Sequence, residues 1–72
     1  MDYKTRMINE YNELKDKYNK LHKIIIKYEA KTLDFKPACS IELLKEQACY
    51  MGNYLRVLEI RAEVEKIDLE NK

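Results

Sequence analysis

The sequence predicts an all-α fold, an antiparallel helical hairpin of coiled-coil type that assembles into an oligomeric helical bundle. In the first half, core-type side chains recur at alternating spacings of three and four residues, which is the seam of an amphipathic helix. They are Met7, Tyr11, Leu14, Tyr18, Leu21, Ile25 and Tyr28. The second half repeats the spacing with Leu44, Ala48, Met51, Leu55, Leu58 and Ala62. A single glycine and a single proline argue against an all-β fold with many turns.

The first helix is predicted over residues 3–31, because Asp2 is a good N-cap and the seam runs without a break from there. The loop is predicted over residues 32–40, where the period is lost and Pro37 excludes a helix interior. Leu33 and Phe35 are too apolar for an extended loop, so we expect the loop to fold back over the end of the hairpin.

The second helix is predicted over residues 41–69, with Ser40 as its N-cap and Glu42 in its first turn. The two helices and their loop make one domain over residues 1–72. The loop length predicts a register in which Tyr18 lies beside Tyr54 and Tyr11 beside Arg61. Arg61 then needs a polar partner, for which Glu10 is the nearest candidate.

The second helix has more apolar surface than one neighbouring helix can cover. The side chains outside its narrow seam are Tyr50, Tyr54, Val57, Ile60, Val64 and Ile67. Exposed apolar surface of this extent marks association, so we expect a homo-oligomer, most simply a two-fold dimer that forms a four-helix bundle. Gly52 is unfavourable within a helix, which indicates close approach there by a helix or a flat ligand.

Composition excludes several classes of protein. Charged residues are 38% and net charge is +1, so neither a membrane protein nor direct DNA binding is expected. The start of the sequence lacks a secretory pattern, and the cytoplasm is the expected location. Two cysteines and one histidine form no metal-ligand pattern, and neither a phosphate-binding loop nor a nucleophile motif is present. We therefore expect no catalytic residues, no metal, no cofactor and no enzyme activity.

Ligand binding is the class of function that remains. The candidate ligand-binding residues are Arg6, Tyr11, Tyr50, Arg56 and Arg61. Arginine holds phosphate in a fork that lysine does not reproduce, and a tyrosine ring stacks on a flat base. The alternative is that the arginines pair with nearby glutamates and that most of the tyrosines belong to the core. The turn end is also positively charged, with seven lysines against three acids between residues 15 and 36, a local charge of +4.

A further set of residues resembles the pattern of small phage and prophage proteins described as related to a crAss-like phage protein, a family of unknown function. The matching residues are Arg6, Met7, Glu10, Tyr11, Leu14, Leu21, Leu43, Leu44, Glu46, Gln47, Met51, Tyr54, Leu58 and Arg61. The resemblance covers nearly the whole chain and implies a protein that acts against the host.

In layout, the predicted oligomer is similar to phage anti-CBASS and anti-Thoeris sponges, which bind cyclic nucleotide immune signals between protomers. That similarity implies an oligomer that sequesters a nucleotide-type signal without cleaving it, in the cytoplasm of an infected host cell. One alternative is a protein-binding inhibitor, such as an anti-CRISPR, whose partner is a host defence protein. A second alternative is a structural or regulatory bundle with no small ligand.

Overall fold

The computed structural model describes residues 2–69, which form two α-helices packed against each other as a hairpin. Helix α1 spans Tyr3–Glu29 and helix α2 spans Ile41–Glu65. Contacts between Glu29 and Lys45 at the turn end, and between Tyr3 and Arg61 at the opposite end, show that the helices are antiparallel. We call that opposite end the open end. The predicted all-helical hairpin is confirmed.

Both ends of α1 are held by local hydrogen bonds. The Asp2 carboxylate accepts a bond of 2.7 Å from the backbone N–H of Thr5, as expected of an N-cap. At the other end Lys31 adopts a left-handed conformation with φ 63°, and the N–H of Thr32 donates to the carbonyl of Lys27 at 2.8 Å. This reversal ends the helix at Glu29, two residues before the predicted end.

Helix α2 begins where the sequence predicts and ends earlier. The Ser40 hydroxyl accepts a 3.2 Å bond from the N–H of Leu43. At the other end Lys66 is left-handed with φ 58°, and the N–H of Ile67 donates to the Ala62 carbonyl at 2.8 Å. The helix therefore ends at Glu65 rather than at residue 69. The reversal turns Ile67 into the core, where it is only 8% exposed, although the sequence predicts it among the uncovered apolar residues.

The buried core lies towards the open end of the hairpin. Its members are Met7, Tyr11, Leu55, Leu58, Ala62 and Ile67. Leu58 is completely buried, whereas Leu21 and Leu44, nearer the turn, are only half-buried. The two helices thus form a tight contact at the open end and a looser one at the turn.

The helices pair in a register about two residues away from the predicted one. Tyr18 packs on Gly52 rather than beside Tyr54, and Tyr11 meets Glu59 rather than Arg61. A Cβ added at Gly52 would lie 3.4 Å from the Tyr18 ring, so the ring leaves room there for no side chain longer than a methyl group. The close approach predicted at Gly52 is therefore made, within the protomer, by a tyrosine of α1.

Large apolar side chains of α2 outside the interhelix seam remain at the surface of the hairpin. The exposed ones are Leu43, Tyr50, Tyr54, Val57, Ile60 and Val64. Within residues 2–69, neither helix combines the length and the apolar character that crossing a membrane requires.

Candidate functional site

Arg61, a predicted ligand residue, is held by partners in its own hairpin. Its Nε lies 3.5 Å from a carboxylate oxygen of Glu65, and its Nη2 donates to the hydroxyl of Tyr3. The guanidinium also lies 6.0 Å from the centroid of the Tyr3 ring. The electrostatic interaction with Tyr3, followed by this hydrogen bond and then Glu65, raises the pKa of Arg61. The alternative interpretation, in which an arginine pairs with a nearby glutamate, is confirmed for Arg61.

Tyr11, the second candidate at this end, belongs to the core. Its side chain is 5% exposed, and its hydroxyl donates a 2.6 Å hydrogen bond to the Glu59 carboxylate. The ammonium of Lys15 lies 5.5 Å from the ring centroid. With its ring covered, Tyr11 has no free face on which a base can stack in this hairpin.

Glu10 is hydrogen-bonded to Tyr54, although the sequence predicts that Glu10 is the polar partner of Arg61. The Tyr54 hydroxyl donates to the Glu10 carboxylate across the two helices. This hydrogen bond is the main reason that the pKa of Tyr54 is raised. Arg61 has Tyr3 and Glu65 as its partners instead.

The other three candidates are exposed and point in different directions. Tyr50 is 65% exposed on α2. Arg56 lies about 160° around α2 from buried Leu58, and so faces away from α1. Arg6 is exposed on α1. Within one hairpin the five predicted residues therefore do not converge on a single site.

A concave surface lies instead at the turn, and we call it the turn-end hollow. Its lining residues are Tyr28, Glu29, Lys31, Leu33, Asp34, Phe35, Lys36 and Pro37. It is open to solvent and has a volume of ≈ 690 Å³. Leu33 and Pro37 are half-buried, as expected for a loop that folds back, whereas Phe35 is 53% exposed. The hollow thus offers aromatic rings to a ligand.

The charges of the hollow are unequal. Glu29 forms an ion pair with Lys45 across the helices, and its hydrogen bond is the main cause that raises the pKa of Lys45. With Glu29 neutralised, the lysines of the lining, Lys31 and Lys36, outnumber Asp34. The hollow therefore combines aromatic surface with an excess of ammonium groups.

The sequence predicts a positive turn end but does not single out the hollow's residues. The signal that points to them is the presence of Leu33 and Phe35, two large apolar residues in a loop of otherwise polar and small ones. Among residues 2–69, no cluster of three or more His, Cys, Asp or Glu side chains is placed to hold a metal ion.

The protein is a small helical hairpin with exposed apolar residues on α2 and an open hollow at its turn. The family model Sequestin matches residues 1–64, which is most of the chain, and the chain belongs to the Sequestin family. No curated protein matches the chain. No solved structure matches it either. The match shows the family, and the phage origin implied by the resemblance in the sequence stays a prediction.

Proposed function

We propose that this protein is a phage-encoded, non-enzymatic antagonist of host defence. It acts as a homo-oligomer in the cytoplasm of the infected cell and sequesters a nucleotide-type immune signal, such as a cyclic nucleotide, by stoichiometric binding. The observation that carries the proposal is the match to the Sequestin family over residues 1–64, since the family name is compatible with a sequestering function.

The turn-end hollow is the surface of the hairpin best suited to such a ligand. Its ≈ 690 Å³ lies within the range of roughly 300–1,000 Å³ that is usual for ligand pockets. Phe35 and Tyr28 offer ring faces on which a base stacks, and the ammonium groups of Lys31 and Lys36 attract a phosphate. The hollow is open to solvent, so a ligand can enter it without separating the two helices.

The arginine candidates have a secondary place in this proposal. Arg6, Arg56 and Tyr50 are exposed and are available to a ligand that lies between protomers. Arg61 and Tyr11 are engaged within their own hairpin, and their role is to hold the open end together. A ligand at the open end would have to displace Tyr3 or Glu65 from Arg61, whereas a ligand in the hollow displaces neither.

A second candidate function is favoured by the exposed apolar residues of α2. A protein-binding inhibitor of the anti-CRISPR type would use such a face against a host defence protein. This face lies outside the hollow, so the two functions are separated by which substitutions abolish binding. A bundle with no small ligand is the third possibility, and it predicts no response to any nucleotide.

The test is isothermal titration, with thermal melting in parallel, using a panel of cyclic dinucleotides, cyclic trinucleotides and ADP-ribose derivatives. A ligand at a hundredfold excess over its Kd stabilises the folded state by about 2.7 kcal/mol, which is a readily measured rise in Tm. The bound compound is then extracted and analysed by mass spectrometry. Intact recovery supports sequestration, and a cleaved product would contradict the non-enzymatic mechanism.

Variants locate the site. Phe35→Ala and Lys36→Gln should each weaken binding by about tenfold or more, because each removes a stacking or a charge contact. Lys23→Gln is the matched control, since Lys23 is an exposed lysine of α1 outside the hollow. If no compound of the panel binds, the proposed function is refuted. If binding is lost on replacing Arg6 or Arg56 but not Phe35, the site lies between protomers and not in the hollow.

A further inference from the structure

Helix α2 carries a second row of residues with the spacing of a coiled-coil seam. We call it the outer row, and it consists of Leu43, Gln47, Tyr50, Tyr54, Val57, Arg61 and Val64. Successive members are separated by four and three residues in alternation. Apart from Val64, each member comes immediately before a residue of the seam that packs on α1. A helix with two such rows is built to contact two neighbouring helices.

The hairpin leaves the aliphatic and aromatic members of the outer row largely exposed, while Tyr54 and Arg61 are also hydrogen-bonded to Glu10 and Tyr3 of α1. Four of its residues recur every seven positions. Of these, Leu43 is 53% exposed, Tyr50 65%, Val57 42% and Val64 75%. Tyr54, between them, is 43% exposed. The row spans three heptads, or about 32 Å at 1.5 Å per residue. Its complement is therefore a helix at least as long, and α1 already occupies the inner seam.

The charges beside the outer row decide the chemistry of the partner. Helix α2, Ile41–Glu65, carries five acids against three basic residues, a net charge of −2, and Glu42 and Glu46 lie next to the outer row. An acidic surface repels phosphate, so nucleic acid and anionic lipid are poor occupants. The partner that fits is a helix with its own apolar row and with a basic residue that comes level with Glu42 and Glu46, because such a residue offsets the repulsion between two acidic helices.

The outer row is complementary to itself when two copies lie antiparallel. With a two-fold axis near the level of Gly52, Tyr50 of one copy meets Tyr54 of the other, and Val57 meets Gln47. Arg61, the one charged member of the row, then comes level with Leu43 of the second copy, between Glu42 and Glu46. A parallel arrangement would place Arg61 beside Arg61, which is unfavourable.

We propose that the outer row is the surface on which a second copy of this chain packs, α2 against α2 and antiparallel, to form a four-helix bundle. This proposal deepens the proposed function and rests on it only in assuming that the chain self-associates. The two-fold symmetry makes every residue of the row count twice in the interface. Both turn-end hollows stay outside the α2–α2 contact, at opposite ends of the bundle.

Sedimentation equilibrium on the full chain tests the surface. The unaltered protein should be a dimer or a larger assembly of dimers at about 100 µM, and Tyr50→Glu and Val57→Glu should each weaken association by about tenfold or more. Ile26→Glu is the control, because Ile26 is a large apolar residue of α1 that is 52% exposed and lies outside the outer row. Far-UV circular dichroism confirms that each variant keeps its helices.

Cross-linking tests the orientation in a Cys39→Ser and Cys49→Ser background. A short bis-maleimide should join a Leu43→Cys chain to a Val64→Cys chain and should not join two Leu43→Cys chains, which an antiparallel pair holds far apart. Efficient joining of two Leu43→Cys chains would overturn the antiparallel arrangement. A monomer at about 100 µM would refute the outer row as the contact surface. So would an oligomer whose association is unchanged by Tyr50→Glu and Val57→Glu. A monomer would also contradict the homo-oligomer of the proposed function, whereas failure of nucleotide sequestration is distinguished by the titration, which does not depend on the outer-row variants or the cross-links.

Discussion

Replacing Gly52 with alanine should stabilise the protein, although Gly52 lies where Tyr18 makes its closest approach to α2. Glycine within a helix costs about 1 kcal/mol relative to alanine, because it loses more backbone entropy on folding. Gly52 has no positive φ, so alanine meets no backbone strain there. The outcome therefore depends on the contact that the new methyl group makes with Tyr18.

The structure places that methyl group in ordinary contact with the ring. Its distances to Cε1, the hydroxyl oxygen and Cζ of Tyr18 are 3.4, 3.7 and 3.8 Å. These are separations at which dispersion is attractive and repulsion is small. The free energy of unfolding should rise by about 1 kcal/mol, nearly the whole gain in helix propensity. For a chain of this size that is a rise in Tm of about 4–8 °C.

The assay is urea and thermal unfolding followed by far-UV circular dichroism, with both proteins at the same concentration because association alters the apparent stability. Gly52→Leu is the matched control. Its helix propensity is close to that of alanine, but its longer side chain must displace Tyr18, so it should destabilise the protein. A lower Tm for Gly52→Ala would refute the register, since it would mean that the Tyr18 ring lies too close to accept a methyl group.

Three further predictions concern the core, an interhelix hydrogen bond and the first N-cap. Leu58→Ala should destabilise the protein by about 3–5 kcal/mol, because Leu58 is completely buried, and urea unfolding should show a loss of this size; a loss below about 1 kcal/mol would contradict the described core. Tyr11→Phe should cost about 1–2 kcal/mol in the same assay by removing the hydrogen bond to Glu59, and an unchanged midpoint would show that the bond contributes nothing. The hydrogen bond from the N–H of Thr5 lowers the pKa of Asp2 below 3.8 in the folded protein. The stabilisation by this carboxylate is therefore complete when the pH is above the pKa of Asp2 in the unfolded chain, and it is lost as the pH falls through the lowered pKa of the folded state. Thermal melts between about pH 5 and 2 should show a smaller acid-induced loss in Asp2→Asn, which keeps a cap that does not titrate, and identical profiles would rule out this contribution.

The helices themselves follow from local sequence. Asp2 and Ser40 form the predicted N-caps, and the alternating spacing marks the buried side of both helices. Such features involve residues within one or two turns of each other, so they can be read from the sequence without knowing the fold. The helix C-termini were harder to predict because Lys31 and Lys66, not glycines, adopt the left-handed conformation that ends each helix.

The candidate site could be predicted only in its chemistry. The sequence indicates a positive turn end and places three arginines away from it. It does not show that Arg61 is bonded to Tyr3, which lies at the other end of the chain. Nor does it show that Tyr11 is buried against Glu59, because each of these contacts depends on how the helices pair.

The sequence by itself determined that this chain forms two amphipathic helices with a second apolar row on the later one, since periodicity and capping are properties of neighbouring residues. Tertiary structure alone decided the register, the burial of Ile67 and the shape of the turn-end hollow. The physical reason is that many registers bury similar apolar area. The choice among them is made by steric fit, here the Tyr18 ring against the bare backbone of Gly52.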